Sequence, residues 1–185
     1  MTTSQRFTAM LAATLLTTAV FASAASPALA STNDRTDART CWIQADTGET
    51  QCFADESAMD AAIVEELGAL PVEEGSVQAR MGSTPVGAVA AVQYTIARLY
   101  ADASYGGDFL FVSAASSTFC ADGGVYAASA MPTGWNDRVS SVRSYWGCQT
   151  TLYTNAAFAG TSAVYSSSAA LGTMNDKTSS YKVKS

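Results

Sequence analysis

Two six-residue stretches of the chain place acidic and hydroxyl side chains at the same spacing. They are NDRVSS at 136–141 and NDKTSS at 175–180, so each has Asn-Asp, two variable residues and Ser-Ser. Calcium is a hard ion that accepts carboxylate, hydroxyl, carbonyl and water oxygens together. The same residue types also form ordinary turns, in which their side chains satisfy backbone amides without a metal. Because the stretch occurs twice, we favour calcium binding over a simple turn.

The residue inventory excludes several other kinds of chemistry. The chain has no histidine, which removes Ser-His-Asp and Cys-His nucleophile systems, imidazole zinc sites and the commonest general base. Residues 31–80 carry eleven acidic and three basic side chains, whereas residues 81–185 carry five acidic and six basic ones. Neither part has the basic stripe that a phosphate backbone requires. We therefore predict a protein that is not an enzyme and does not bind nucleic acid.

The first thirty residues have the features of a secretory signal peptide. Arg6 is their single positive charge, residues 9–25 are apolar or small, and Ala28-Leu29-Ala30 matches a cleavage pattern. The apolar run is too short for a membrane-spanning helix. The sequence thus predicts a signal peptide at 1–30, a mature chain that begins at Ser31, secretion to the extracellular space and no membrane association.

The chain contains four cysteines, Cys41, Cys52, Cys120 and Cys148. An exported chain meets an oxidising environment, so we expect these residues to form two disulfides. The sequence alone allows three pairings. We favour Cys41–Cys52 and Cys120–Cys148, because each of these bonds closes a local loop.

Residues 31–90 are predicted to form an acidic N-terminal segment with a small hairpin, one helix and a linker. In CWIQADTGETQCF, the residues Asp46-Thr47-Gly48 can turn the hairpin. Residues 71–90 contain two prolines and several small residues, which is typical of a linker. Because the charge balance changes near Arg80, we expect this segment to be an appendage rather than part of a shared core.

The stretch ESAMDAAIVEELGAL is predicted to be the helix. Ser57 can cap its N-terminus, with an acidic residue three positions later. Met59, Ile63 and Leu67 are spaced by four residues and form one apolar face. Gly68 follows the last of them and is placed to end the helix.

From residue 91 onward the hydrophobic pattern changes to alternation. Val92, Tyr94 and Ile96 are each followed by a smaller or more polar residue. The stretches DFLFVS, RVSSVRSY, TSAVYSS and SSYKVKS are further short strand candidates, separated by turn residues. This pattern predicts an all-β sandwich over residues 91–185.

The duplicated hexapeptides belong to a longer repeat. An aromatic residue, four others, a second aromatic residue, one other and a glycine precede each copy. These residues are Tyr100, Tyr105 and Gly107 in the first copy and Tyr153, Phe158 and Gly160 in the second. Glycine allows a backbone angle at such a corner that a Cβ atom would resist. Each repeat therefore predicts a hairpin with a tight corner, then a polar loop that opens a strand, and the two units bury one shared core.

Both motifs, in this order and present twice, resemble the βγ-crystallin domain. The chain is similar in particular to the secreted microbial members of the family that bind calcium, and the resemblance covers about Tyr94 to Ser185. It implies an all-β, double Greek-key sandwich at residues 91–185, preceded in this chain by the hairpin and one α-helix of residues 31–90.

The resemblance also implies two calcium ions between the two loops, with each loop serving both ions. The implied ligands are the carboxylates of Asp137 and Asp176, the hydroxyls of Ser140 and Ser179, and the backbone carbonyls of Arg138 and Lys177. Each carboxylate is expected to reach the ion of the opposite loop. Further carbonyls come from the corners near residues 102–103 and 154–155. Asn136 and Asn175 are amides where many relatives carry Asp, so they are given a supporting role.

The predicted partners are calcium ions and, under the inhibitor alternative, an extracellular protein such as a protease; the protein is expected to be a monomer. With one carboxylate per ion and a basic residue beside each, affinity is expected to be on the order of 10⁻⁶ to 10⁻³ M. A secreted peptidase inhibitor is the alternative, because small actinobacterial metalloproteinase inhibitors share the fold. Its blocking element would be the acidic segment or the loop from Cys120 to Trp135, since a braced loop loses little entropy on binding. A crystallin-like toxin is a further alternative.

Overall fold

The helix and strands of the described chain stack in three layers. The computed structural model describes residues 40–68, 70–75 and 92–185. In this part the helix α1 spans Glu56–Leu67, and the strands are β1 (Thr40–Gln44), β2 (Thr50–Phe53), β3 (Tyr94–Tyr100), β4 (Phe109–Ala114), β5 (Tyr126–Ala128), β6 (Ser141–Ser144), β7 (Gln149–Asn155), β8 (Ala159–Tyr165), β9 (Ser167–Ser168) and β10 (Ser180–Lys184). The strands form a six-stranded and a four-stranded sheet, and α1 packs on the first.

The strand order shows the two repeat units. The first sheet has the order β2-β1-β4-β3-β6-β9 and the second has the order β5-β10-β7-β8. Strands β3 to β6 belong to the first unit and β7 to β10 to the second. Each unit sends its third strand, β5 or β9, into the sheet of the other unit, which is a Greek-key arrangement. The predicted all-β Greek-key sandwich is confirmed.

Alternating side chains of β3 and β4 fill two separate hydrophobic clusters. Successive strand residues face opposite sides of a sheet. Leu99, Leu110 and Val112 are fully buried between the two sheets. Phe109 and Phe111 alternate with them along β4 and belong to a second cluster on the other face of the first sheet. This second face is called the outer aromatic face below.

Helix α1 covers the outer aromatic face with the side that its sequence predicts. Met59 and Ile63 are buried there against Trp42 of β1, and Leu67 packs at the margin. The burial explains why an acidic helix is stable at this place: its apolar stripe has a core of its own.

The predicted N-terminal cap of the helix is wrong by two residues. Asp55 is extended, and its Oδ1 accepts the N–H of Ala58 at 2.9 Å, whereas Ser57 lies inside the helix. A carboxylate at this position both satisfies a free amide and faces the positive end of the helix dipole. Gly68 ends the helix as predicted, with φ of 77° and its N–H bonded to Val64.

The N-terminal hairpin is part of the first sheet, which corrects the expectation of an appendage. Strand β1 pairs parallel with β4, so that Cys41 lies opposite Leu110. All residues of β1 are buried, and Nε1 of Trp42 donates to Oγ of Ser113 at 2.9 Å. The charge of the segment was a poor guide because its described acidic residues lie on α1 and in loops, while β1 is uncharged. The boundary predicted at residue 90 lies outside the described residues.

Residues 71–75, predicted as the start of a linker, are attached to the first sheet. Val72 exchanges backbone hydrogen bonds of 2.8 and 2.9 Å with the chain around the start of β3. The carboxylate of Glu73 contacts the guanidinium of Arg98 at 2.6 Å, and that guanidinium also lies over two rings of the outer aromatic face. The rest of the predicted linker, residues 76–90, lies outside the described residues.

Both favoured disulfides are present. Cys41 faces Cys52 across the N-terminal hairpin, with 4.0 Å between their Cα atoms. Cys120 and Cys148 join the loop after β4 to the start of β7, with 5.3 Å between their Cα atoms. The predicted signal peptide lies outside the described residues. Within the ranges that are described, no helix is long and apolar enough to cross a membrane.

Candidate functional site

Each repeat unit forms one tight corner between its first and second strands. Ser104 and Tyr105 follow β3, and Ala157 and Phe158 follow β7. All four have φ between 54° and 65°, a region that most residues with a side chain avoid. Two consecutive residues in this region need support from their surroundings.

The last serine of each hexapeptide supplies this support. Oγ of Ser141 donates to the carbonyl of Asp102 at 2.6 Å and accepts the N–H of Tyr105 at 3.0 Å. Ser180 makes the two equivalent hydrogen bonds at the second corner, of 2.6 and 3.1 Å. A hydroxyl can donate one bond and accept another, so each serine closes its corner completely. The corner carbonyls are thereby held next to the loops.

The two hexapeptide loops are hydrogen-bonded to each other. The N–H of Asp137 donates to the carbonyl of Thr178, and the N–H of Asp176 donates to the carbonyl of Val139, both at 3.0 Å. Asp137 and Asp176 have φ of 57° and 52°, which aspartate tolerates better than most residues. Both aspartates are exposed. The pseudo-symmetry of the domain therefore brings the predicted acidic ligands to one surface.

A carboxylate and a hydroxyl from opposite loops meet at one point. Oγ of Ser140 donates to Oδ1 of Asp176 at 2.8 Å. Ser140 is buried, whereas Asp176 is exposed, so the contact lies where the first loop enters the sheet. The family resemblance implied that Asp176 reaches toward the first loop, and its role as a ligand there stays a prediction.

The other predicted hydroxyl ligand has a different partner. Oγ of Ser179 donates to the carbonyl of Thr154 at 2.9 Å. This contact joins the hydroxyl and one of the corner carbonyls that were predicted to share an ion. The two halves of the site therefore differ in the hydrogen-bond partner of the serine, which is a carboxylate in one half and a backbone carbonyl in the other.

The loop asparagines support the aspartates that follow them. Nδ2 of Asn136 donates to Oδ2 of Asp137, and Nδ2 of Asn175 donates to Oδ2 of Asp176, both at 2.6 Å. Each bond engages one carboxylate oxygen and orients the other. This geometry fits the supporting role that was predicted for the two amides.

The two basic loop residues differ in their surroundings. Arg138 contacts Asp108 at 3.0 Å, donates to the carbonyl of Gly134 at 3.2 Å and lies over the ring of Trp135. Lys177 is exposed. Asp108 thus offsets much of the positive charge of Arg138, which reduces the effect of this charge on the loop carboxylates.

Comparison with known proteins gives matches among solved structures. No protein-family model matches the chain, and no curated protein does. A double mutant of a βγ-crystallin domain from Clostridium beijerinckii is 30% identical; the match covers 48% of this chain and 96% of that one, with a TM-score of 0.38. A βγ-crystallin domain from Flavobacterium johnsoniae is 28% identical over 48% of this chain and 92% of that one, with a TM-score of 0.35. A double mutant of clostrillin in complex with nickel is 27% identical over 49% and 98%, with a TM-score of 0.37.

The chain belongs to the βγ-crystallin domain family. The membership rests on the identity over nearly the whole clostridial domain and on the duplicated motifs of the chain itself. The TM-scores are all below 0.5 and add nothing to it.

The paired loops of the βγ-crystallin domain bring several oxygen atoms close together. Neighbouring oxygens that each lie about 2.4 Å from one calcium ion are roughly 3 Å apart. The oxygens of Ser140 and Asp176 are 2.8 Å apart, and those of Ser179 and Thr154 are 2.9 Å apart. In the described ranges, no three Asp, Glu, Cys or His side chains lie together in a metal-binding group. Carbonyls and water would therefore have to complete either site, and the ligand roles stay predictions.

The repeat of the βγ-crystallin domain extends two residues beyond each hexapeptide, a feature that the sequence prediction missed. The eighth position is basic in both copies, Arg143 and Lys182. The guanidinium of Arg143 lies 3.9 Å from the ring centre of Tyr105, and Nζ of Lys182 lies 4.2 Å from that of Phe158. Both contacts are cation–π interactions that hold a corner aromatic in place. The basic residue two positions after Ser-Ser in both copies was the sequence signal from which these contacts could have been predicted.

Proposed function

We propose that the mature chain is a secreted βγ-crystallin module that binds two calcium ions between its paired loops and has a structural or interaction role. The observation that carries the proposal is the 2.8 Å contact between the Ser140 hydroxyl and the Asp176 carboxylate. Two independent turns would satisfy their own polar groups locally. A crossing between loops instead brings one oxygen of each unit together, which supports an ion shared by both units.

Secretion is supported by the disulfides together with the predicted signal peptide. Two disulfides persist in an oxidising compartment and are rare in the cytosol of most organisms. Extracellular calcium is also abundant enough for sites of modest affinity. The proposed extracellular location is therefore compatible with the proposed binding of calcium.

Each ion would take ligands from both units. One would be held by the Asp176 carboxylate, the Ser140 hydroxyl, the Arg138 carbonyl and a corner carbonyl near residues 102–103. The other would be held by the equivalent set: the Asp137 carboxylate, the Ser179 hydroxyl, the Lys177 carbonyl and a corner carbonyl near residues 154–155. Bound calcium would neutralise the carboxylates and tie the two loops together. Because both units must be folded for this, calcium is expected to stabilise the folded domain.

The two sites are expected to differ in affinity. The first corner carries carboxylates at Asp102 and Asp108, whereas the second has Asn155 and Thr161 at the matching positions. Affinity rises with the number of negative charges around the ion. Although Arg138 offsets one of these charges, the ion beside Ser140 is expected to bind more tightly.

Isothermal titration of calcium into the EDTA-stripped mature protein tests the proposal. We expect a stoichiometry near two in the wild type and near one in Asp137→Ala and in Asp176→Ala. The Asp176→Ala variant is expected to lose the tighter site. At calcium a hundred times the dissociation constant, each site adds about 2.7 kcal/mol to the free energy of unfolding. Magnesium is expected to bind poorly, because it prefers a small octahedral site and keeps its water.

Asp122→Ala is the matched control, because this aspartate is exposed in a loop outside the two hexapeptides. It is expected to keep both sites. The double variant of Asp137 and Asp176 is expected to lose the calcium-dependent rise in melting temperature and keep its β-sheet circular dichroism. If the wild type shows no heat and no melting shift at about 1 mM calcium, well within the range of extracellular modules, the loops are only turns.

A peptidase inhibitor is the second candidate function. Residues 121–125 are mostly exposed directly after Cys120, and the disulfide to Cys148 braces them. Such a braced loop would lose little conformational entropy on entering a protease cleft. A panel of secreted metalloproteinases tests this candidate: inhibition that disappears in Val125→Asp and survives in the calcium-site double variant would favour it.

A further inference from the structure

The two repeat units have equivalent edge strands, and one of these edges is covered. The first sheet contains β4-β3-β6-β9 and the second contains β8-β7-β10-β5, so β4 and β8 occupy matching positions. Strand β1 pairs with β4 and covers its edge. In the part of the chain that the structure describes, β8 has a strand neighbour on one side only. The fold thus accepts an added strand at one edge, and the described residues leave the equivalent edge open.

Apart from a register shift near its start, opposite Tyr153 and Asn155, strand β8 lacks, among the described residues, the features that protect most exposed edges. Proteins shield long edges with charged residues, proline, β-bulges or a covering segment. The seven residues of β8, AGTSAVY, include no charge and no proline. The other edge strands of the described sheets, β2, β5 and β9, have four, three and two residues. Val164 in β8 is 57% exposed, so β8 also exposes an apolar side chain on a face of the sheet beside the open edge.

The register of β8 determines which backbone groups point to the open side. The carbonyl of Tyr153 accepts the N–H of Ser179, so this carbonyl points away from β8. Tyr153 lies opposite Ser162, and the two are therefore a non-hydrogen-bonded pair. Backbone groups alternate along an antiparallel strand. The N–H and carbonyl groups of Ser162 and Val164 consequently point outward, while those of Ala163 point to β7.

We propose that β8 is a dimer interface, where it pairs antiparallel with β8 of a second copy and joins two four-stranded sheets into one of eight strands. The pairing would centre on Ala163, so that Ser162 lies opposite Val164 of the second copy and both exchange backbone hydrogen bonds. The close, non-hydrogen-bonded position then holds two small Ala163 side chains, which suits its short Cα separation. Two identical uncharged strands meet without repulsion, and a two-fold axis closes the assembly. The proposal replaces the monomer expected from the sequence and does not depend on calcium binding.

Analytical ultracentrifugation of the mature, disulfide-bonded protein tests the proposal. Protein concentrations up to about 1 mM are high enough to detect even a weak association. We expect the mass to double with concentration, both with calcium and with EDTA. Val164→Lys places two like charges in the interface and is expected to weaken the dimer roughly tenfold or more. Val125→Lys is the matched control, because Val125 is 52% exposed outside β8, and it is expected to leave the dimer intact.

Amide hydrogen exchange gives a second readout at the level of residues. The amides of Ser162 and Val164 are expected to become protected as the wild-type concentration rises, and this concentration dependence is expected to vanish in Val164→Lys. A wild type that stays monomeric at the highest concentration would overturn the proposal. So would a dimer that survives Val164→Lys without protection of these amides. A monomer whose Ser162 and Val164 amides are protected by an added extended peptide would replace the second copy with a peptide partner.

Discussion

At the scale of single residues, the two serines of each hexapeptide have separate tasks. The first, Ser140 or Ser179, directs its hydroxyl toward an oxygen of the proposed metal site. The second, Ser141 or Ser180, closes the corner of its own unit. The second serine is therefore needed whether or not a metal binds, and the two tasks can be separated by mutation.

Replacing Ser180 by alanine is expected to lower the free energy of unfolding by about 1–3 kcal/mol, even without calcium. The variant leaves the Asn155 carbonyl and the Phe158 N–H without their partner, and unsatisfied polar groups are costly when they are partly buried. Urea unfolding in EDTA measures the change. Ser129→Ala, at an exposed loop position, is the control and is expected to stay within about 0.5 kcal/mol of the wild type. Equal stability of both variants would show that the corner keeps its conformation without the hydrogen bonds of Ser180.

At the residue scale, the repeated pattern predicted which loops meet, and competition between neighbours misled the prediction of the helix cap. The spacing in two copies singled out Asp137, Asp176 and the loop serines; the structure brings both loops together, and the ligand roles of these residues stay predictions. The helix cap was misplaced because Asp55 and Ser57 are both good capping residues, and only the backbone angle of Asp55 decides between them. The pairing of Arg138 with Asp108 depends on how the corner and loop meet in space, which no local pattern contains.

At the scale of secondary-structure elements, α1 is a component of the hydrophobic core. Its apolar stripe fills the outer aromatic face, and Arg98 on β3 holds both Glu56 of the helix and Glu73 of the following segment, at 3.7 and 2.6 Å. The helix is therefore connected to the first sheet by packing and by charge. Its unfolding is expected to be coupled to that of the sandwich.

Replacing Ile63 by alanine tests this coupling. Ile63 is fully buried, and truncation of such a residue costs about 2–5 kcal/mol. We expect one cooperative transition with a lower midpoint, seen alike by far-ultraviolet circular dichroism and tryptophan fluorescence. Glu65→Ala on the exposed side of α1 is the control and is expected to change little. A helix signal that melts first, while the sandwich keeps its wild-type midpoint, would mean that the helix is only attached.

The sequence predicted most elements because their patterns are local. The helix face, the hairpin turn and the four strand stretches each follow from spacing within a few residues. The parallel pairing of β1 with β4 could not be predicted in this way. It joins strands that are far apart in the chain, and β1 shows only that it is apolar, without indicating which edge it covers.

At the scale of the whole molecule, the N-terminal segment completes the first sheet and one of its faces. The sequence predicted that residues 31–90 are an appendage, which implies that residues from about 91 onward would fold alone. The structure changes the expected outcome, because a fragment of residues 86–185 would expose both the edge of β4 and the outer aromatic face. Exposed edges and large apolar patches promote association.

The fragment 86–185 is expected to have a lower melting temperature than the mature protein and to self-associate. A fragment of residues 40–185, which keeps β1, β2 and α1, is the control and is expected to resemble the mature chain. Differential scanning calorimetry and light scattering on both fragments measure the two effects. If fragment 86–185 is monomeric and has the same melting temperature as the mature protein, the N-terminal segment contributes nothing to the stability of the sandwich.

The pairing of β1 with β4 also sets an order of events in time. Trp42 and its partner Ser113 are 71 residues apart, so β1 leaves the ribosome long before β4 exists. The Cys41–Cys52 bond spans only 11 residues. It can therefore form before the rest of the chain has folded. Contacts between distant segments form late, because the chain must first lose the entropy of the intervening loop. The first described strand to be synthesised is therefore expected to be among the last to dock, and until then its tryptophan is open to chaperones and to other unfinished chains.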